Sequence, residues 1–212
     1  MTGPQYTECD LTNDIVPISM YIMTTKRDDI LDAAKTLFWE RGYEATSPRA
    51  IQDLSNAGQG SFYHHFRSKK DLAATVLETV VDERIAAFDA LFGDSGPVIK
   101  RIERFLLEPR DELKGCRIGR MVWDSAITEE ELRRPIKRYF RHIEARIVAA
   151  LEQALASGEI QAIVPPEHIA AMVLASIQGA LTLGRAMQDS SWYACVIQGS
   201  VSFINRVLKA GS

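Results

Sequence analysis

Residues 46–72, TSPRAIQDLSNAGQGSFYHHFRSKKDL, decide the fold of this chain. Ser47 is a natural N-cap, and Pro48 falls at the first helical position, where its missing N–H costs nothing. Ile51 and Leu54 then form one inward stripe. Asn56-Ala57-Gly58 breaks the period, because Asn and Gly tolerate a left-handed turn. From Gln59 the helical period resumes, and Phe62 and Phe66, four apart, turn their rings to one core. The other face carries Gln59, Gly60, Ser61, Tyr63 and His64, with no acidic side chain among them. A short second helix presenting donors, acceptors and an aromatic hydroxyl predicts a helix-turn-helix, sized to enter a major groove.

Downstream, Ser68 and Asp71 have capping-box spacing and mark another helix start. Lys69 and Lys70 between them are cations at the positive end of a helix dipole, unfavourable by about 0.3–1 kcal/mol per charge. Two readings stand: a solvated pair, or a pair held for an anion such as DNA phosphate. Beside the helix-turn-helix the second is favoured. The expected phosphate-facing set is Thr46, Ser47, Arg49, Lys69 and Lys70; Gln59, Gly60, Ser61, Tyr63 and His64 are expected at the groove.

The run Gly60-Ser61-Phe62-Tyr63-His64-His65-Phe66-Arg67-Ser68-Lys69, preceded by Ile51 and Asn56, resembles the DNA-binding signature of the TetR/AcrR family of bacterial transcriptional regulators. Arg41-Gly42-Tyr43 at the end of the upstream helix fits as well. The match covers about fifty residues in detail. Two positions depart from the family pattern. Asn56 stands where the turn usually has Gly, which Asn can replace at positive φ. Gly58 stands where a Ser or Thr usually caps the recognition helix, which weakens the cap and removes a phosphate contact.

Composition fits an ordinary soluble globular protein of 212 residues, 46% hydrophobic and 25% charged. A net charge of −3 argues against a polycationic binder. Residues 24–72 hold 8 Lys/Arg against 7 Asp/Glu, and residues 58–70 hold three cations and no anion, a basic edge on a neutral body. Cys9, Cys116 and Cys195 are widely spaced and contain no C-x-x-C, so neither a disulfide framework nor a metal site is indicated. The N-terminus lacks the basic and apolar regions of a signal peptide, and the best apolar run, 169–187, contains Gln178 and Arg185. A cytoplasmic protein with no membrane partner is expected.

Residues 1–23 show no helical period and are expected to be disordered or loosely docked, with Met23 an alternative start to Met1. Residues 24–72 are expected to form the helix-turn-helix domain, and 73–212 a ligand-binding and dimerisation domain. Helices are expected over 25–41, 69–92, 98–113 with Pro109 kinking or ending the last, 115–126, 129–156, 166–187 and 191–208. No strand pair shows an alternating period. The fold class is all-α, with about nine helices.

Ala171, Ala175, Gly179, Ala180 and Gly184, with Ala194 and Gly199, put small residues along the last two helices. Such spacing lets helix backbones approach, within one subunit or between two. The resemblance implies the second, since family members dimerise through their last two helices (about 165–187 and 191–208 here). It also implies a small-molecule inducer inside the C-terminal domain. Phe88, Phe105, Met121, Trp123, Tyr139, Ile143 and Gln178 are the candidate lining, although residues of each kind are more often plain core. Cys116, after Gly115 at an expected helix start and beside Arg117, is read as buried core or as a thiol sensor. The four His, at 64, 65, 142 and 168, form no catalytic or metal constellation, so no enzyme and no cofactor are expected. The sequence therefore points to a homodimeric repressor that binds double-stranded operator DNA and is released by a small molecule, with activation or thiol sensing as the alternatives.

Overall fold

Thr25 opens the first helix with a reciprocal cap: its hydroxyl accepts the N–H of Asp28, and the Asp28 carboxylate accepts the N–H of Thr25. The computed structural model describes residues 25–93 and 96–210. The expectations for residues 1–23, and the choice between Met1 and Met23, lie outside the described residues.

Helix α1, Lys26–Arg41, ends at Gly42, whose φ of +90° only glycine adopts without strain. Helix α2, Pro48–Leu54, is capped by the Ser47 hydroxyl, which accepts the N–H of Ala50. Asn56 makes the turn at φ +49°, as the motif predicts, and α3, Gln59–His65, follows. Ile51, Phe62 and Phe66 close the core of this three-helix head together with Ile30, Ala34 and Phe38 of α1. Leu54 departs from expectation: it is 55% exposed rather than inward. In so short a helix only Ile51 and Gln52 are buried, and Leu54 falls on the outer side.

Helix α4, Lys69–Phe92, carries the chain from the head into the larger body. Ser68 caps it, accepting the N–H of Asp71; the Asp71 carboxylate accepts the N–H of Arg67, one residue earlier than a reciprocal box requires. Helix α5, Val98–Leu107, stops two residues before Pro109, because the residue before a proline is driven out of helical geometry. The expected helix over 115–126 is instead a pair of 3₁₀ turns, Gly119–Trp123 and Ser125–Thr128. Ile118, at the start of the first, has no side-chain oxygen to cap a longer helix. Helices α6, Glu130–Ala156, α7, Pro166–Met187, and α8, Ser190–Val207, complete the bundle. Helix α8 begins one residue earlier than expected, because Asp189, not Ser190, caps it by accepting the N–H of Ser191.

Among the described residues there are thus eight α-helices and two 3₁₀ turns, so the all-α reading holds. Against the expectation of no strand pair, there is one short one: β1, Ile160–Ala162, runs antiparallel to β2, Leu208–Ala210, pairing Ile160 with Ala210 and Ala162 with Leu208. Three residues are too few to show an alternating period. The pair ties the end of α8 to the turn after α6.

Helices α4 and α6 pack side by side, as do α6, α7 and α8. Along the α4–α6 seam Arg138 bridges Glu78 and Asp82, and Asp89 meets His142 and Arg146. Helix α7 is long and apolar enough by composition to cross a membrane, but it is an element of this bundle, with Ile169, Val173, Ile177 and Leu181 turned into the core. Phe88 stacks on Phe92 at 5.0 Å and meets Phe105 edge-on at 4.8 Å, filling the space between α4 and α5.

Candidate nucleic-acid interface and the adjoining cavities

Helix α3 divides by burial as its sequence divides by chemistry. Phe62 is fully buried, while Gln59, Gly60, Tyr63 and His64 are exposed and Ser61 is half-buried. Gly58 and Gly60 add a feature of shape: a Cβ built at either would meet nothing within 4 Å. No contact inside the chain requires glycine there. A flat leading edge that lets another backbone come close would. Gly60→Ala is accordingly expected to keep or slightly raise the melting temperature, by up to about 1 kcal/mol of helix propensity. The same methyl should weaken operator binding about tenfold, about 1.4 kcal/mol. Thermal melts and DNA titration on the same variant check both halves.

The expected phosphate-facing residues fare unequally. Ser47 and Arg49 are exposed; Arg49 is 80% exposed and pairs with Asp53, one turn on. Thr46 is a correction: it is fully buried, and its hydroxyl donates to the carbonyls of Gly42 and Leu37, so it serves the corner between α1 and α2. Lys69 donates to the Tyr43 carbonyl at 3.0 Å and stands 4.1 Å over the Tyr43 ring. Lys70 pairs with Glu131 at 3.2 Å and Glu129 at 3.5 Å, and these contacts raise its pKa. The poor dipole position of both lysines is therefore offset within the chain. Arg67 is the residue that the reading passed over: exposed, directly after α3, with no carboxylate in ion-pair contact among the described residues. Its place in the run between Phe66 and Ser68 was the available signal.

Several contacts join the head and the start of α4 to the segment between α5 and α6 and to the first turn of α6. The Trp39 indole N–H donates to the Gly115 carbonyl at 3.1 Å. The Asp124 carboxylate accepts the N–H groups of Tyr43, at 2.7 Å, and Glu44, at 3.2 Å. Arg117 and Lys114 stand over the Trp39 ring, and Lys70 adds its pairs with Glu129 and Glu131. None was legible locally, since the partners lie tens of residues apart.

This segment also walls the cavities. A cleft of about 1240 Å³ lies between the end of α1, the first 3₁₀ turn and α7, with Trp123 and Gln178 on its walls. A more enclosed cavity of about 390 Å³ lies behind it, bounded by Phe105, Tyr139, Cys116 and again Gln178. Burial pushes the Tyr139 hydroxyl up to about 12, so it is a neutral hydrogen-bond donor near pH 7. The expected lining is thus brought together in part. Phe105, Tyr139 and Gln178 face the inner cavity, and Trp123, 85% exposed, stands at the rim of the cleft. Phe88, Met121 and Ile143 line neither and are packed core, as apolar residues at helical spacing usually are.

Cys116 lines both cavities, and its sulfur accepts the N–H of Gly119 at 3.2 Å. The expected α-helix start beside it is a 3₁₀ turn, and Arg117 is turned away over the Trp39 ring at 4.2 Å. The structural case for an activated thiol is weaker for both reasons.

A buried-faced α2–turn–α3 pair, with a polar outer face on α3 and a helical body behind it, defines a helix-turn-helix DNA-binding regulator. The chain belongs to the TetR family. Residues 30–76 match the family described as bacterial regulatory proteins, tetR family, and residues 99–199 match the tetracyclin repressor-like C-terminal domain. A helix-turn-helix-type transcriptional regulator of Lactococcus lactis is 27% identical, covering 81% of this chain and 89% of its own. The transcriptional repressor DhaR of a Mycobacterium species is 24% identical, covering 74% and 81%. In fold, the chain superposes on a TetR transcriptional regulator from Chloroflexus aurantiacus with a TM-score of 0.78, at 21% identity, covering 88% of this chain and 97% of that one.

Proposed function

We propose that the protein is a homodimeric repressor that reads operator DNA with α3 and leaves it when a small molecule enters the body. The exposed polar face of α3, flattened by Gly58 and Gly60, carries the DNA half of this reading. Gln59, Ser61, Tyr63 and His64 face the major groove, Gly60 allows the approach, and Ser47, Arg49, Lys69 and Lys70 lie towards phosphate, joined by Arg67. The two lysines must exchange their present partners to reach it. Gln59→Ala is expected to relax sequence preference at one base pair, worth about 1–3 kcal/mol, while leaving the salt dependence unchanged. Binding to a panel of single-base operator variants measures this; an unchanged preference would move Gln59 out of the groove.

Dimerisation through α7 and α8 is supported by how their small residues divide. Ala180 and Gly184 are buried inside the subunit, and a Cβ on Gly184 would press on the Glu112 carbonyl at 3.3 Å. Ala171, Ala175, Ala194 and Gly199 are exposed, flanked by Trp192 at 44% and Phe203 at 48% exposure. An exposed small-residue surface with large apolar side chains beside it suits close approach of a second copy. Two heads in a two-fold dimer read half-sites about 34–36 Å apart.

The inducer site in this reading is the cavity pair joined at Gln178 and Cys116. Its signal would pass through Asp124, since the turn that walls the cleft also holds the N–H groups of Tyr43 and Glu44 in the head. Repression rather than activation is supported by DhaR, which is named a repressor. A role with chromosomal DNA places the protein in the cytoplasm, and no catalytic step is part of the proposal.

A further inference from the structure

The larger cleft is uneven in charge. Arg41, Lys114, Arg120 and Arg185 stand on its walls against only Glu44 and Asp124. Asp124 is already engaged by two backbone N–H groups of the head. Among the described residues no carboxylate makes an ion pair with Arg120 or Arg185. Arg120 is held where a cation is costly: burial, then the nearby charge of Arg185, lower its pKa, outweighing the opposing charge of Asp124 nearby. Its Nε is buried and finds no hydrogen-bond partner among the described residues. Natural structures rarely leave a buried guanidinium N–H without a partner. Arg185 is anchored by donating to the Lys114 carbonyl and lines the same cleft. Beyond the cations the walls turn apolar, with Val122, Phe140, Leu181 and the exposed Trp123 indole at the rim.

We propose that this cleft binds an organic anion, its acidic head between Arg120 and Arg185 and its apolar body along Trp123 and Phe140. The inference rests on the ligand-responsive reading above and names the class of its ligand: an amphipathic carboxylate or phosphate ester. Two guanidiniums give such a head bidentate, charge-assisted hydrogen bonds through their terminal nitrogens. The volume of about 1240 Å³ accommodates a body far larger than a simple inorganic anion.

The test uses the full chain without DNA. Anilinonaphthalene sulfonate, an aromatic anion that fluoresces on binding, is titrated beside phenylnaphthylamine, which has the same rings and no charge. The sulfonate is expected to bind more tightly than the neutral probe. Arg120→Gln and Arg185→Gln should each weaken the sulfonate about tenfold or more and leave the neutral probe unchanged. Lys100→Gln on α5, of equal charge change but far from the cleft, should do neither. Arg185→Lys keeps the charge and should recover part of the loss, which separates a lost ion contact from a damaged fold; thermal melts of each variant give the second control. Displacement of the bound probe by decanoate or by decyl phosphate, and not by decanol, then tells carboxylate from phosphate ester. Equal binding of both probes, or sulfonate affinity untouched in both arginine variants, overturns the proposal. Because DNA takes no part, that outcome leaves operator binding standing; loss of operator binding would instead sink the regulator reading while the probe result stands.

Discussion

Phe62→Ala is expected to abolish specific operator binding while the chain remains dimeric. Phe62 is fully buried at the centre of the head, 5.1 Å from the Tyr63 ring and 6.3 Å from Phe66. Truncating such a phenylalanine costs about 3–5 kcal/mol in lost transfer energy and cavity. The loss falls on a three-helix unit whose second and third helices are seven residues each and cannot hold themselves together without their core. An opened head must be closed again out of the binding free energy, and a deficit of about 3 kcal/mol is more than a hundredfold in affinity. The body, held by α4 to α8, should keep its association. Fluorescence anisotropy with operator DNA and size-exclusion chromatography on one preparation decide the matter. Retained operator affinity would mean that α3 is not what reads DNA.

Gly199→Arg should have an effect of similar size by a different route. In the single chain, a Cβ at Gly199 meets nothing within 4 Å, so the substitution is free of clash and replaces a helix-weakening glycine. Each chain should fold as before. Across a two-fold axis the same side chain would meet its own copy or the facing helix, holding the backbones apart and burying a charge at close-packed residues. A monomer reads one half-site, and a dimer with even a millimolar effective concentration between heads gains about a hundredfold or more over it. Analytical ultracentrifugation should show a monomer with a normal melting profile and operator affinity lowered by about that factor. A dimer of unchanged strength would place the interface elsewhere on the body.

How much of this was legible depends on how far apart the causes lie in the chain. The helix-turn-helix could be read because its determinants are local: Ser47 capping Ala50, Asn56 at positive φ, and Phe62 and Phe66 one turn apart. Thr46 could not, because what buries its hydroxyl are the carbonyls of residues 37 and 42, fixed by how α1 meets the following turn. Lys69 and Lys70 stand out locally as an anomaly of the helix dipole, but their intrachain partners do not. Their partners, Tyr43 before them and Glu129 and Glu131 some sixty residues after, were out of reach of any local rule. The same limit explains the cavity. Phe105, Tyr139 and Gln178 were found as aromatic or polar residues on core helices, whereas Phe88 and Ile143 have the same pattern and serve packing. Arg120 and Arg185 are ordinary charges in the sequence, and only the fold brings them near each other on the wall of one cleft.

The central claim, a sequence-specific regulator, is tested most directly by titrating the full chain into DNA from upstream of its own gene. Random DNA of equal length, at low and at physiological salt, is the control. Non-specific contacts to phosphate fade steeply as salt rises, whereas groove contacts to bases persist. The account predicts a preference for the upstream DNA that survives at the higher salt, with two half-sites protected about one helical turn apart. No binding to either DNA at low salt would contradict it.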